Sequence, residues 1–188
     1  GRRRRLSFHA LKWVNRIGHW KRRNNRENSR RNIRDHYDLS NEFYALWLDE
    51  SLTYSSAWFE GPETLRKAQE NKYDRLCRKL GLTKGMRVLE IGCGWGGFAL
   101  HAAHNYGVSV TAITLSEAQH AGALERVRNA GLEDRVEVLL CDYRDVRGSF
   151  DAIVSIEMLE AVGHSFLKAF FGQCHRLLSP EGRLGLQV

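Results

Sequence analysis

From residue 81 to the end of the chain, two kinds of apolar pattern alternate. Short, nearly continuous apolar runs ("MRVLEIG", "VSVTAIT", "VEVLLCD", "FDAIVSIE" and "GRLGLQV") read as strands buried on both faces. Longer stretches with spaced apolar positions ("GGFALHAAHNY", "SEAQHAGALERVRNAG" and "HSFLKAFFGQCHRLL") read as the helices between them. A further helix, "TLRKAQENKYDRLCRKLG", precedes the first strand, with Gly81 as its C-terminal cap. This order predicts an α/β fold, a mostly parallel doubly wound sheet with helices on both faces. The fifth strand runs to Val188, where such a sheet normally continues, so further C-terminal strands are expected. Upstream, residues 36–61 are rich in aromatics and poor in alternation, and read as short helices and a loop. Near the start, Leu6, Ala10, Trp13, Ile17 and Trp20 would form one stripe on a helix. The resulting organisation is a basic amphipathic arm (1–34), a helical lid segment (35–80) and a Rossmann-like core (81–188).

Charge changes the picture of the arm. The 188 residues carry a net +7. Residues 1–34 alone hold eleven Arg, two Lys and one Glu, a net +12, so the remainder is mildly acidic. A basic amphipathic helix carrying Trp suits an anionic membrane surface, where each basic residue contributes about 1 kcal/mol. Nucleic-acid phosphates could attract the same charges. The plainer readings are a solvated tail, or a helix that packs its stripe on the domain. Composition is otherwise that of a globular domain, at 43% hydrophobic and 27% charged. No apolar run reaches the ~18 residues of a membrane span, and the basic start is not followed by the apolar core of a signal peptide. Cys77, Cys93, Cys141 and Cys174 are widely spaced, which argues against a zinc site or disulfide frame and for reduced thiols in a cytoplasm.

The chemistry centres on "VLEIGCGWGG", residues 88–97. Gly92, Gly94 and Gly97 give G-x-G-x-x-G after a strand and at the start of a helix, the place where doubly wound sheets bind ligands. A dinucleotide site wants an acid at the end of the second strand. Here that strand ends Ala112-Ile113-Thr114, with no acid until Glu117. The loop has an acid before it instead. Glu90 could meet an ammonium while backbone N–H groups meet a carboxylate, which describes an amino acid; S-adenosylmethionine ends in one. After the third strand, Asp142 could accept from an adenine amino group and Tyr143 could stack on the base. Asp142 reads equally well as a turn residue. Ser116 and Gln119 form an S-x-x-Q capping box, and Gln119 also lies within reach of a ribose.

The stretches "HYDLSNEFYALWLDESLTYSSAWF", "VLEIGCGWGG", "TAITLSEAQ" and "SIEMLEAVG" together resemble the successive signatures of the cyclopropane-fatty-acid synthase family, S-adenosylmethionine-dependent enzymes that modify double bonds of acyl chains. The resemblance runs from His36 to Val188 and leaves out the arm. It implies a class I S-adenosylmethionine methyltransferase fold. It implies cofactor contacts at Tyr54, Ser55, the glycine loop (Gly92, Cys93, Gly94), Thr114, Leu115, Gln119, Asp142, Tyr143 and Ile156. The segment 36–61 would cover the cofactor and an acyl tunnel. It also implies a bicarbonate ion as base, held in a cage of side chains, with Glu160 of "SIEMLEAVG" on the cage glutamate and Glu157 its nearest rival.

Two cage positions depart from the family pattern. Ser56 stands where a cysteine is common and Gln187 where a histidine is common; neither titrates near neutral pH. A catalytic tyrosine is expected beyond the fifth strand. The expected catalytic set is therefore Glu160, Ser56 and Gln187, with no metal. The expected reaction is cyclopropane formation on unsaturated phospholipid acyl chains, with a methyl or methylene branch as the alternative. A nucleic-acid methyltransferase is disfavoured, because "SIEMLEAVG" lacks the Asn/Asp-Pro-Pro-aromatic motif of enzymes that methylate base amines. A non-catalytic lipid-binding relative is disfavoured by Glu160 and the intact glycine loop. The expected partners are phospholipid acyl chains and the inner face of the membrane, reached from the cytoplasm through the arm, with a homodimer as one candidate assembly.

Overall fold

The structure, a computed structural model, describes residues 43–188 apart from 45 and 62. The basic arm and its proposed helix lie outside the described residues. Helix α1 (Leu65–Leu80) starts where the Thr64 side chain accepts from the Lys67 N–H, and stops at Gly81, which takes the left-handed conformation and donates to Arg78 O. Five strands follow: β1 (Arg87–Ile91), β2 (Ser109–Thr114), β3 (Val136–Leu140), β4 (Phe150–Ile156) and β5 (Leu178–Gln187). Helices α2 (Gly97–Tyr106) and α3 (Glu117–Asn129) join the first three strands. A short α4 (Leu159–Val162), a 3-10 turn (His164–Phe166) and α5 (Leu167–Leu177) join the last two.

The sheet is parallel throughout, in the order β3-β2-β1-β4-β5. After β3 the chain crosses to the other side of β1, so the order reverses between β1 and β4, and a crevice opens at their carboxyl ends. Successive residues of a strand point to opposite faces. Val88 accordingly joins Val110, Val138 and Phe98 in one core cluster, while Leu89 joins Ile113, Ile153 and Phe170 in the other. Both faces are covered, which explains why the strands read as continuous apolar runs. Helix α1, grouped by the sequence reading with the lid, contributes Tyr73, Cys77 and Leu80 to the first of these clusters.

Some boundaries differ from the sequence reading. The third strand ends at Leu140 rather than Asp142, where the chain turns out of the sheet. Strand β5 begins at Leu178 rather than Gly182; its pairing jumps from Phe150↔Leu178 to Ala152↔Arg183, and Pro180 and Gly182 sit in the irregular stretch. Among the described residues no helix is long and apolar enough to cross a membrane, and all four cysteines are free thiols.

Candidate active site

A pocket lies at the carboxyl ends of β1, β2 and β4. Its walls come from the glycine loop, the strand ends at Ile113–Leu115 and Ile156–Met158, and the loop 52–55. Sterics dictate the glycines. A Cβ on Gly92 would run into the Met158 side chain, and one on Gly97 would press on Tyr73 Oη and Thr53 Oγ1. Gly94 differs: its φ is +54°, and among the described residues, its chain neighbours apart, no atom lies within 4 Å of where its Cβ would be. The N–H groups of Gly92 and Cys93 both donate to Ile113 O at 3.0 Å. They are spent on the sheet, so these two amides are not the ones offered to a ligand carboxylate.

Glu90 is the main electrostatic feature. It is 3% exposed, and among the described residues its Oε2 has no hydrogen-bond partner. Burial pushes its carboxyl up to about 8, against the opposing pull of the Ala99 N–H and Lys72. An orphaned buried carboxylate oxygen on a pocket wall is costly unless something comes to meet it. The ammonium of S-adenosylmethionine has the right charge and donors.

The loop 49–56 is stitched down from two sides. From α1, Gln69 Nε2 donates to Ser55 O at 2.8 Å, Lys72 Nζ to Ser55 Oγ at 2.7 Å, and Tyr73 Oη pairs with Thr53 Oγ1. From α3, Arg126 Nη1 donates to Ser51 O and to Trp95 O. Lys72 is buried, which lowers its ammonium to about 8 despite the carboxylates of Glu157, Asp49 and Glu90. Tyr44, Trp47, Tyr54 and Trp95 gather beside this loop, with ring centroids 5.1–6.0 Å apart.

Of the expected cofactor residues, Tyr54, Ser55, Glu90, Gly92, Cys93, Gly94, Thr114, Leu115, Gln119, Tyr143 and Ile156 line this one pocket. Asp142 does not line it; Arg144 grips its carboxylate through Nε at 2.8 Å and Nη2 at 2.6 Å, so it acts first as an ion-paired turn residue. Ser116 caps α3, accepting from Gln119 N at 3.3 Å. The capping box is only half formed, because Ser116 N donates to Thr114 Oγ1 and the Gln119 side chain bonds Thr114 Oγ1 instead.

Of the expected catalytic residues, the structure brings Ser56 and Gln187 together, but around Glu157 rather than Glu160. The backbone leaves β4 with Glu157 at φ +50°, which turns its side chain onto the pocket wall. Its Oε1 accepts from Ser56 N at 2.9 Å, from Ser56 Oγ, and from Gln187 Nε2 at 3.1 Å. Burial pushes the Glu157 carboxyl up, but the Ser56 and Gln187 donors and Lys72 outweigh it and hold it below the ordinary value. Glu160, three residues on, is exposed in the first turn of α4 and does not line the pocket. The donors expected to hold a bicarbonate ion therefore already hold a carboxylate of the chain, and a second anion there would face like charge. These residues do not fit bicarbonate.

Sequence reasoning named Glu157 only as the rival of Glu160 and did not single out Lys72. A signal existed for Lys72: with Gln69 it interrupts the buried stripe Ala68, Tyr73, Cys77 and Leu80 of α1. Nothing in the sequence ranked Glu157 above Glu160, since its inward turn depends on a positive φ that the sequence does not announce.

Comparison with known proteins agrees with this fold. The family model for mycolic acid cyclopropane synthetase matches residues 24–188. A probable fatty acid methyltransferase of Pseudomonas putida is 46% identical over 154 residues, covering 80% of this chain and 38% of that protein. The cyclopropane-fatty-acyl-phospholipid synthase of Escherichia coli K12 is 45% identical over 149 residues, covering 79% of this chain and 38% of that one. This chain thus spans about two-fifths of the length of those relatives. Among solved structures, mycolic acid cyclopropane synthase CmaA1 complexed with SAH and CTAB superposes with a TM-score of 0.81 at 40% identity, over 84% of this chain and 55% of that one. The fold is that of class I S-adenosylmethionine methyltransferases, and the CmaA1 structure holds SAH. With its glycine loop, its buried Glu90 and the match over residues 24–188, the chain belongs to the mycolic acid cyclopropane synthetase family.

Proposed function

We propose that this chain forms the catalytic core of an enzyme that transfers a methyl(ene) group from S-adenosylmethionine to the double bond of an unsaturated phospholipid acyl chain, closing a cyclopropane ring. The observation that carries this reading is the junction, in one pocket, of the glycine loop and Glu90 with a wall and rim rich in aromatics. When bound, S-adenosylmethionine supplies an electrophilic methyl group on a positively charged sulfur. Glu90 would hold its amino-acid end, with Tyr143 and Gln119 along the nucleoside. The remaining requirements are proximity and a dry, electrostatically prepared site, because an alkene is a weak nucleophile and leaves a cation behind. Tyr54 and Trp95, which line the pocket, supply apolar surface and ring faces that suit a cation, and Tyr44 packs behind them. A second reading, a methyl or methylene branch without ring closure, is supported by Ser56 and Gln187 at the two altered positions and by the Pseudomonas putida relative's name.

The test incubates the full-length enzyme with isotopically labelled S-adenosylmethionine and vesicles of an unsaturated phospholipid. Label is expected in the acyl chains, and proton NMR separates ring protons from those of a methylene branch. Label confined to head groups or to added nucleic acid would overturn the reading.

The arm yields a separate prediction. Removing residues 1–34 takes away a net +12, and is expected to weaken binding to anionic vesicles while leaving cofactor affinity unchanged. The full chain's vesicle binding should also fade with salt, since exposed charges are screened beyond about 10 Å at 0.1 M. Vesicle flotation at two salt concentrations reads both effects. Equal flotation of the trimmed and full chains would remove the arm from membrane binding.

A further inference from the structure

We propose that Glu157 is a built-in anion that takes the place of a bound bicarbonate ion and accepts the proton released after methyl transfer. The inference rests on the acyl-alkene reading above and extends it to the base.

Three separate chain segments converge on this carboxylate: the loop at Ser56, the end of β4 and the end of β5 at Gln187. Glu157 N in turn donates to Gln187 O at 2.8 Å, so backbone and side chain together tie the two strand ends. All three side-chain contacts fall on Oε1. Oε2 accepts no hydrogen bond among the described residues and keeps its lone pairs. The carboxylate lines the same pocket as Ser55, Ile156, Met158 and the glycine loop. Its φ of +50° is a conformation that non-glycine residues seldom adopt. A carboxylate held there at a backbone cost, with its charge compensated by three donors, is more than a surface residue.

The chemistry balances without any further reactant. Methyl transfer leaves a cationic carbon on the acyl chain. A C–H bond of the transferred methyl breaks, its electron pair forms the C–C bond that closes the ring, and the proton passes to Oε2 of Glu157. If a methylene branch forms instead, the same C–H pair becomes the C=C bond after the charge has moved to the branched carbon. A proton next to a cationic carbon is far more acidic than any carboxylic acid. The base therefore needs position and charge, not a raised proton affinity, and the donors on Oε1 keep Glu157 ionised.

The experiment uses the full-length enzyme, its Glu157→Gln and Glu157→Gly variants, unsaturated phospholipid vesicles, and buffers with bicarbonate removed or added. Wild-type turnover is expected to be indifferent to bicarbonate. Glu157→Gln should lose about 10²–10³ in turnover, the usual cost of a well-placed electrostatic group, with S-adenosylhomocysteine affinity retained. Glu157→Gly suits the positive φ, frees the Ser56 and Gln187 donors, and should regain at least tenfold of its lost rate when bicarbonate is added. A second readout does not need turnover: ¹³C-bicarbonate followed by NMR should bind Glu157→Gly and not the wild type. Wild-type turnover that collapses on bicarbonate removal, wild-type binding of ¹³C-bicarbonate in this pocket, or Glu157→Gln within threefold of wild type would overturn the proposal. If the wild type labels no acyl chain at all, the acyl-alkene reading fails; the ¹³C-bicarbonate result still decides whether Glu157 occupies the anion's place.

Discussion

Gly94→Val is expected to abolish binding of S-adenosylmethionine and S-adenosylhomocysteine. Two effects add at this position. The first is conformational: at φ +54° a β-branched residue is strained, at a cost of about 1–2 kcal/mol. The second is spatial. Among the described residues, chain neighbours apart, nothing lies within 4 Å of a Cβ at Gly94, although the residue lines the pocket. A valine there would meet only what occupies the pocket, so the clash falls on the ligand. Isothermal calorimetry with S-adenosylhomocysteine reads the outcome, and circular dichroism establishes that the variant is folded. A folded Gly94→Val protein that binds within threefold of wild type would remove the glycine loop from the cofactor site. NAD titrated into the wild type serves as the comparison and should give no binding, because β2 ends at Thr114 without the acid that a nicotinamide dinucleotide's ribose wants.

The sequence made the glycine loop legible because its constraint is local. Three glycines between a strand and a helix, preceded by an acid, state their geometry through spacing alone. The same holds for the caps at Gly81 and Ser116, each decided within four residues. The parallel sheet with helices on both faces followed from the alternation of strand and helix. What stayed hidden is non-local or depends on one dihedral angle. The choice between Glu157 and Glu160 turns on where the chain bends off β4, and a residue at φ +50° followed by a four-residue helix leaves no periodicity to read. The convergence of Ser56, Glu157 and Gln187 joins residues up to 131 positions apart. The engagement of Asp142 by Arg144, two residues on, is local, and matches the turn reading the sequence already offered. Lys72 lay in view as a charged residue on an apolar helix face, but its partners belong to the loop and to β1.

Glu90 gives the other large effect, and two measurements should move in opposite directions. Its carboxyl is raised from 4.5 to about 8 by burial, so the folded protein without cofactor prefers it protonated at neutral pH. The unfolded chain has no such preference. A group whose folded value lies above its unfolded one lends stability below the unfolded value and loses it as pH rises toward the folded value. Stability without cofactor should therefore fall between about pH 5 and pH 8 on account of Glu90. Glu90→Gln removes this slope. It should raise the melting temperature, more at pH 8 than at pH 6, because the avoided cost of the buried charge grows with pH. Cofactor binding should show the reverse. An incoming ammonium stabilises the ionised carboxylate, so wild-type affinity should rise with pH toward about 8, with release of close to one proton per site at neutral pH. Calorimetry in two buffers of different ionisation enthalpy counts that proton. Glu90→Gln should release none, and should lose about 10²-fold in affinity through the missing charge-assisted hydrogen bond. A variant that is both more stable and a weaker binder identifies Glu90 as a residue kept for the ligand at the expense of the fold. Unchanged affinity, or proton release that persists in Glu90→Gln, would assign the ammonium to another group.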